Sequence, residues 1–391
     1  MNIPFGKLPY TYLSINLRIQ ITLKAIKIIL LLSLLTPFSS CIGQANTENE
    51  ETQDYSKSIG QIVKELDDKI WVIYQDQKGN YWFGSNGNGV YLYDSKSLKN
   101  YSTIEGLIDN SIRGIQGDYL GNVYIETPKG ISKYDGKTFT SLSPIISSDN
   151  EWKLEPNDLW FKCNGIPDDI YRYDGTFLYE LTLPRKDLNK AFETEVRGLG
   201  FDGMNNSPYS VFGIDKDIEG NLWIGTIVAG VFRYDGNSFL WIAEKELTTL
   251  PDGRVPGVRS IIEDKEGYFW LSNFISKYRI TEKDSIVSYE KQEGINKSEG
   301  HFQNRIPYFN SGLSDNNGDL WMTTYTGGVW KYDGDKLVNF PVKDGETEAL
   351  LVSIYQDNNH DIWLGTDNVG VFKFNGESFE NFEPLINKKS H

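Results

Sequence analysis

Between Asp215 and Phe239 the chain reads Asp-Lys-Asp-Ile-Glu-Gly-Asn-Leu-Trp-Ile-Gly-Thr and then, after a short gap, Gly-Val-Phe-Arg-Tyr-Asp-Gly-Asn-Ser-Phe. This pattern returns along most of the sequence. Its two short runs, Leu222 to Gly225 and Val231 to Tyr234, are bounded by Gly-Asn and Asp-Gly, the punctuation of consecutive antiparallel strands. With the tryptophan of the second strand as a ruler, copies fall at Trp82, Tyr124 in place of Trp, Trp160, Trp223, Trp270, Trp321 and Trp363. Seven copies with a period of roughly 40–50 residues and four short strands each predict an all-β chain, a seven-bladed β-propeller over residues 59–383. A four-stranded sheet has two faces to cover, and a ring of sheets covers both by packing each blade on its neighbours. The repeated tryptophans are therefore expected in the core. The third strand of most copies ends in an aromatic before Asp-Gly or Asn-Gly, as at Tyr134, Tyr173, Tyr234, Tyr332 and Phe374, and Tyr278-Arg279 breaks the rule. The third copy departs most, with Leu154 and Asn157 where Asp and Gly are expected, which leaves its first strand near Asn150 to Lys153 undefined.

At 391 residues the chain exceeds the usual single-core size, and the repeats favour one repeat-built domain over several unlike ones. The formal charge is −15, and removing residues 1–40, which hold Lys7, Arg18, Lys24 and Lys27 and no acid, leaves −19. That balance argues against affinity for nucleic acid or for anionic membrane surfaces. The two cysteines, Cys41 and Cys163, exclude a disulfide scaffold, and Cys163 reads as a small buried hydrophobe of a blade strand. With histidine only at His301, His360 and His391, His-ligated metal sites and Ser/His or Cys/His catalysis are disfavoured, and no metal or cofactor is expected.

The N-terminus reads as an address. Four positive charges precede the apolar run Ile28 to Leu35, which is short for a membrane span, and Phe38-Ser39-Ser40-Cys41 follows. This stretch resembles a lipobox, with Phe38 in place of the usual Leu. The resemblance implies that residues 1–40 are a signal peptide and that Cys41 becomes the acylated first residue. An ordinary secretory peptide with an incidental cysteine is the competing reading. Residues 41–58, with Glu48, Glu50, Glu51 and Asp54, read as an acidic disordered tether, and residues 384–391 as a tail.

The repeats resemble the two-component regulator propeller repeat, through Gly220-Asn221-Leu222-Trp223-Ile224-Gly225-Thr226, Glu263-Asp264-Lys265-Glu266-Gly267 and Asp361-Ile362-Trp363-Leu364-Gly365-Thr366. The resemblance implies an extracytoplasmic sensor that recognises a ligand, often a glycan. Nothing after Phe382 has the pattern of a membrane helix, a kinase core or a DNA-binding domain, so only the recognition role carries over as an expectation.

In a four-stranded meander the second connection and the crossing to the next blade emerge on one face of the disc. The crossings Pro184 to Pro208, Ala243 to Gly257 and Glu290 to Pro307 are long, whereas the first connections, such as Asp315 to Gly318, are tight turns. A site is therefore expected on the long-loop face, over the central channel. Its candidate ligand-binding residues are Arg197, Tyr209, Arg254, Arg305 and Tyr308 from the crossings, with Phe201 and Phe302 nearby, and Trp71, Arg113 and Arg259 from the starts of the innermost strands. Guanidinium forks bind oxyanions and aromatic faces stack on C–H surfaces, which suits a glycan or peptide ligand. The competing reading pairs each arginine with a local acid such as Glu195, Asp252 or Glu299. Two other classes stay open: a scaffold subunit of a surface or periplasmic complex, and a hydrolase or lyase similar to virginiamycin-lyase-like propellers. The enzyme needs a channel histidine and a metal, for which His301 is the candidate, since His360 stands at the glycine place of a turn. Asp215 to Gly220 opens like a calcium loop, but Thr226 stands where a bidentate Glu is required.

Overall fold

The computed structural model describes residues 60–146, 152–163, 169–192, 199–201, 204–250, 253–295 and 308–386. Cys41 and the stretches read as signal peptide and acidic tether lie outside the described residues, as do Arg197, Arg305, His301 and Phe302.

The chain folds into a seven-bladed propeller. Blade 4 shows how the repeat becomes structure. Val211–Lys216, Leu222–Thr226, Val231–Tyr234 and Phe239–Ile242 pair antiparallel in chain order from the channel outwards. Ile214 stands opposite Ile224, Ile224 opposite Phe232, and Phe232 opposite Trp241, so one face of the sheet is apolar throughout. The inner strands of the other blades are Ile70–Gln75, Gly114–Gly117, Ile261–Glu263, Ser311–Ser314 and Leu351–Gln356, for blades 1, 2, 5, 6 and 7. Blade 5 replaces the missing Asp-Gly turn at Tyr278-Arg279 by a long hairpin, Ser276–Lys283 with Ile286–Glu293.

Two features recur, the first in six blades and the second in blades 1, 4 and 7. The first is the aspartate that opens the first turn. Asp264 accepts the N–H groups of Glu266 and Tyr268 with one oxygen, and Trp270 Nε1 at 2.9 Å with the other. The same aspartate-to-tryptophan bond, 2.8–3.0 Å long, joins Asp76 to Trp82, Asp217 to Trp223, Asp315 to Trp321 and Asp357 to Trp363, while Asp118 takes the hydroxyl of Tyr124 at 2.9 Å. The second is the glycine of Trp-Ile-Gly-Thr, which lets the next blade come close. A Cβ on Gly225 would lie 2.3 Å from Val258 O of blade 5, and one on Gly365 would lie 2.6 Å from Ile70 O of blade 1. The buried tryptophans span these interfaces. Trp223 stacks on Phe269 with centroids 4.1 Å apart, and Trp82 meets the edge of Tyr134 at 5.4 Å. Burying one such ring is worth about 4–6 kcal/mol as an upper bound.

The ring closes between blades 7 and 1 without sharing a sheet. Tyr81 Oη donates to Asp357 Oδ2 at 2.6 Å, Gln75 N donates to Tyr355 Oη at 3.0 Å, and Trp363 packs on Tyr81 at 4.9 Å and on Phe382 at 4.8 Å. Ahead of the first inner strand, Gln61–Val63 adds a fifth strand on the outer edge of blade 1 against Leu98–Tyr101.

Blade 3 is the exception. Its sheet runs Leu159–Phe161, Asp169–Tyr173, Leu178–Thr182 from the channel outwards, and Pro144–Ile146 is added parallel on the outer edge. Trp152 and Lys153, near the place of the expected first strand, are in no strand: the Trp152 ring stacks on Trp160 at 5.7 Å and stands edge-on to Phe239 of blade 4 at 4.8 Å. Cys163 is buried as expected, but it lies just past the strand, with φ +50° and its N–H bonded to Glu126.

Candidate functional site at the mouth of the channel

The inner strands all start on one face, and two arginines mark that rim. Arg113, which precedes Gly114–Gly117, lies over the ring of Trp71 at 4.5 Å and donates to Asn86 Oδ1 at 3.0 Å and to Ile112 O at 3.1 Å. Trp71 is held in turn by a 2.7 Å bond from Nε1 to Asp367, which also accepts Tyr325 Oη. Arg259 is exposed, lies over Phe212 at 4.6 Å and donates to Pro256 O at 3.0 Å. Among the described residues no carboxylate comes within salt-bridge distance of either guanidinium. Burial lowers the pKa of Arg113, opposed by the charges of Asp109, Glu126 and Asp367. Two cations on ring faces, with donors left over, form a surface suited to anionic or polyhydroxylated ligands.

Beneath this rim lies a group of charges that the sequence reasoning missed. Glu126 is buried and takes the N–H of Cys163 at 2.8 Å and that of Lys162 at 3.4 Å. Lys162 Nζ donates to Phe212 O at 2.8 Å. Burial raises the pKa of Glu126 against the pull of Lys162, these two N–H groups and Arg113, and burial lowers that of Lys162 against the pull of Glu126. Asp215 is open to the channel yet enclosed by protein on nearly every side. That enclosure pushes its carboxyl up to about 7, against the Lys216 N–H and the charge of Lys162. The signal for two of these residues was present. Glu126 and Lys162 occupy the glycine place of Trp-Ile-Gly-Thr in the second and third copies.

The remaining expected residues divide. Tyr209 is turned into the core between blades 3 and 4. Its hydroxyl donates to Lys186 O at 2.9 Å and accepts the Lys186 N–H at 2.7 Å, and Arg185 lies over its ring at 4.4 Å, so it fastens the crossing rather than facing the rim. Tyr308 bridges Asn273, and its buried hydroxyl makes no hydrogen bond of normal geometry. Burial pushes that hydroxyl up to about 12, with Arg259 and Ser272 close enough to pull the other way. Arg254 is exposed in its loop and has interactions of its own. His360 sits at φ +71° in the first turn of blade 7, its Nδ1 2.6 Å from Asn316 Nδ2, away from the channel chemistry an enzyme would need. Among the described residues no group of three His, Cys, Asp or Glu side chains is placed to hold a metal, and no helix is long and apolar enough to cross a membrane. The calcium-like stretch is a turn: Asp217 is spent on Asn221 and Trp223.

The family model described as two component regulator propeller matches residues 64–87. No curated protein matches the chain. Among solved structures, the extracellular domain described as belonging to the hybrid two component system BT4673 of B. thetaiotaomicron is 20% identical, with a TM-score of 0.51, covering 80% of this chain and 39% of that one. The corresponding domain of BT3049 from the same organism is also 20% identical, at TM-score 0.51, over 80% of this chain and 40% of that one. Virginiamycin B lyase from Staphylococcus aureus is 15% identical, at TM-score 0.53, over 80% and 97% of the two chains. This chain thus spans about two fifths of the length of the regulator domains, and at these identities the likeness is one of fold. The chain is a seven-bladed propeller, and within it residues 64–87 match the two component regulator propeller model.

Proposed function

We infer that this propeller is a non-catalytic recognition module, carried outside the cytoplasm by a lipid on Cys41, at an outer membrane or cell surface. It binds a glycan or an anionic peptide over the channel on the long-loop face. The observation that carries this reading is the pairing of Arg113 with Trp71 and Arg259 with Phe212 at the rim, where neither arginine has a salt-bridging carboxylate among the described residues. On a chain with net charge −15, cations left without acidic partners at one rim give an anion a local reason to bind. Arg197, Arg254, Arg305 and Tyr308 belong to the same proposal as residues that extend the surface.

The test is a glycan and peptide array probed with the wild-type chain and with Arg259→Ala and Trp71→Ala. Binding lost in both variants is the expected result. No binding by any form refutes the recognition role in favour of a scaffold subunit, and turnover of a bound ligand refutes the non-catalytic assignment. Cys41→Ser should release the protein from the membrane fraction, and an unchanged distribution refutes the anchor.

A further inference from the structure

Six blades contribute an inner strand of three to six residues, and blade 3, among the described residues, contributes none. Beside the inner edge of blade 3 lies a cavity of about 430 Å³, bounded by Gln116 and Asp118 of blade 2, Asn157, Asp158 and Trp160 of blade 3, and Ile214, Asp215 and Leu222 of blade 4. That volume falls in the range of ligand pockets, roughly 300–1,000 Å³. The inner edge of blade 3 is met by side chains instead of a ladder. Gln116 Nε2 donates to Trp160 O at 2.9 Å, and Lys216 Nζ donates to Asp158 O at 3.2 Å. Each can rotate away if a better donor arrives. Trp160 is 5% exposed and its Nε1 has no partner. The six corresponding rings each donate to an aspartate six residues upstream, and Leu154 stands at that place here.

We propose that this gap is a docking site for an extended peptide of a partner protein, which adds itself as the inner strand of blade 3. Strand addition to an open sheet edge takes its affinity from main-chain bonds and its specificity from alternate side chains. The six strands that the peptide would imitate define its chemistry. Ile73, Ile115, Ile214, Ile261 and Ile354 each stand three residues before the turn aspartate, with Gly312 the exception. The fitting segment is therefore an extended Ile-x-x-Asp: the isoleucine meets the wall formed by Ile214 and Leu222, and the carboxylate supplies the acceptor that Trp160 lacks. None of the lining residues is Trp71, Arg113 or Arg259, so this site is separate from the rim.

The probe is a fluorescein-labelled peptide with the sequence of residues 351–357, Leu-Val-Ser-Ile-Tyr-Gln-Asp, titrated with the full chain and read by anisotropy. Saturable binding is expected. The Ile354→Pro peptide, which lacks a main-chain donor and the isoleucine side chain, should bind at least about tenfold more weakly. Amides of residues 158–162 should gain hydrogen-exchange protection on binding. Asn157→Trp, at an exposed turn position lining the gap, should abolish binding with an unchanged melting temperature. Gln116→Ala, which removes a competitor for Trp160 O, should tighten binding by about threefold. No binding to the folded chain, equal binding of the proline peptide, protection confined to other strands, or binding unaffected by Asn157→Trp would each overturn the proposal.

Discussion

The orphaned Trp160 gives the sharpest test of how the repeat is held together. Trp270→Phe and Trp160→Phe make the same chemical change at the same place in two blades. Both rings are buried, Trp270 at 1% and Trp160 at 5% exposure, so the loss of packed ring is shared and amounts to about 1–2 kcal/mol in each. The difference lies in the indole N–H. In blade 5 it donates to the Asp264 carboxylate at 2.9 Å, a bond to a charged group worth about 1.5–3 kcal/mol, and the substitution forfeits it. In blade 3 the N–H has no partner, and removing an unsatisfied buried donor recovers about 1–3 kcal/mol. Trp270→Phe should therefore be the more destabilising by about 2.5–6 kcal/mol, which for a domain of this size is roughly 4–9 °C in Tm. Urea and thermal melts at pH 7 measure it. Equal losses in the two variants would refute the claim that the turn aspartate supplies net stability through the tryptophan.

Three further outcomes follow from particular residues. His360 has φ +71° where Gly79, Gly121, Gly220, Gly267 and Gly318 stand in other blades. His360→Gly should relieve about 1–2 kcal/mol of left-handed strain, less about 0.5–1 kcal/mol of chain entropy, and raise Tm by about 1–3 °C, whereas a fall would show that the Asn316 contact outweighs the strain. The folded pKa of Asp215, about 7, is above its ordinary value of 3.8, so its contribution to stability is full below about 4 and is lost as pH rises through 7. Asp215→Asn should raise the urea midpoint over wild type at pH 8.5 and much less at pH 5.5, and an equal effect at both would refute that assignment. Glu126→Gly restores the motif residue yet strands the Cys163 N–H and the Lys162 ammonium, and should destabilise by about 3 kcal/mol in a urea melt, with a neutral result counting against a structural role.

The ring was legible because each element of the repeat carries a local reason visible in residue type: an aspartate for the turn, a glycine for φ or close approach, a tryptophan for the interface. The fifth strand at Gln61–Val63 lies outside the repeat, and its pairing with Leu98–Tyr101 is a long-range choice that no local pattern dictates. Tyr209 was assigned to the site face from its place in a long crossing. Sequence position does not say which way a side chain turns, and its hydroxyl is engaged by the main chain of Lys186. Arg113 and Arg259 could be placed near the rim from the starts of their strands, but their stacking on Trp71 and Phe212 depends on neighbouring blades that no single repeat encodes.

The buried charges Glu126 and Lys162 cluster at the inner edge of blade 3. In blades 4 and 7 the second strand carries a glycine where the next blade brings main chain against it, as Val258 O approaches Gly225 and Ile70 O approaches Gly365, while Ser272 and Thr323 hold that place in blades 5 and 6. Among the described residues blade 3 brings no inner strand to blade 2, and Glu126 stands at that place, its carboxylate taking the N–H groups of Lys162 and Cys163. Lys162, at the same place one blade on, reaches Phe212 O of blade 4 and ties the gap from its other side. A buried acid and base with shifted pKa values at the centre of a propeller invite a catalytic reading. Here each charge is bonded to main chain, Glu126 to the N–H groups of Lys162 and Cys163 and Lys162 to Phe212 O, and that account needs no substrate. Recognition is then left to the groups whose bonding capacity is not consumed inside the fold, the guanidinium groups on the rim.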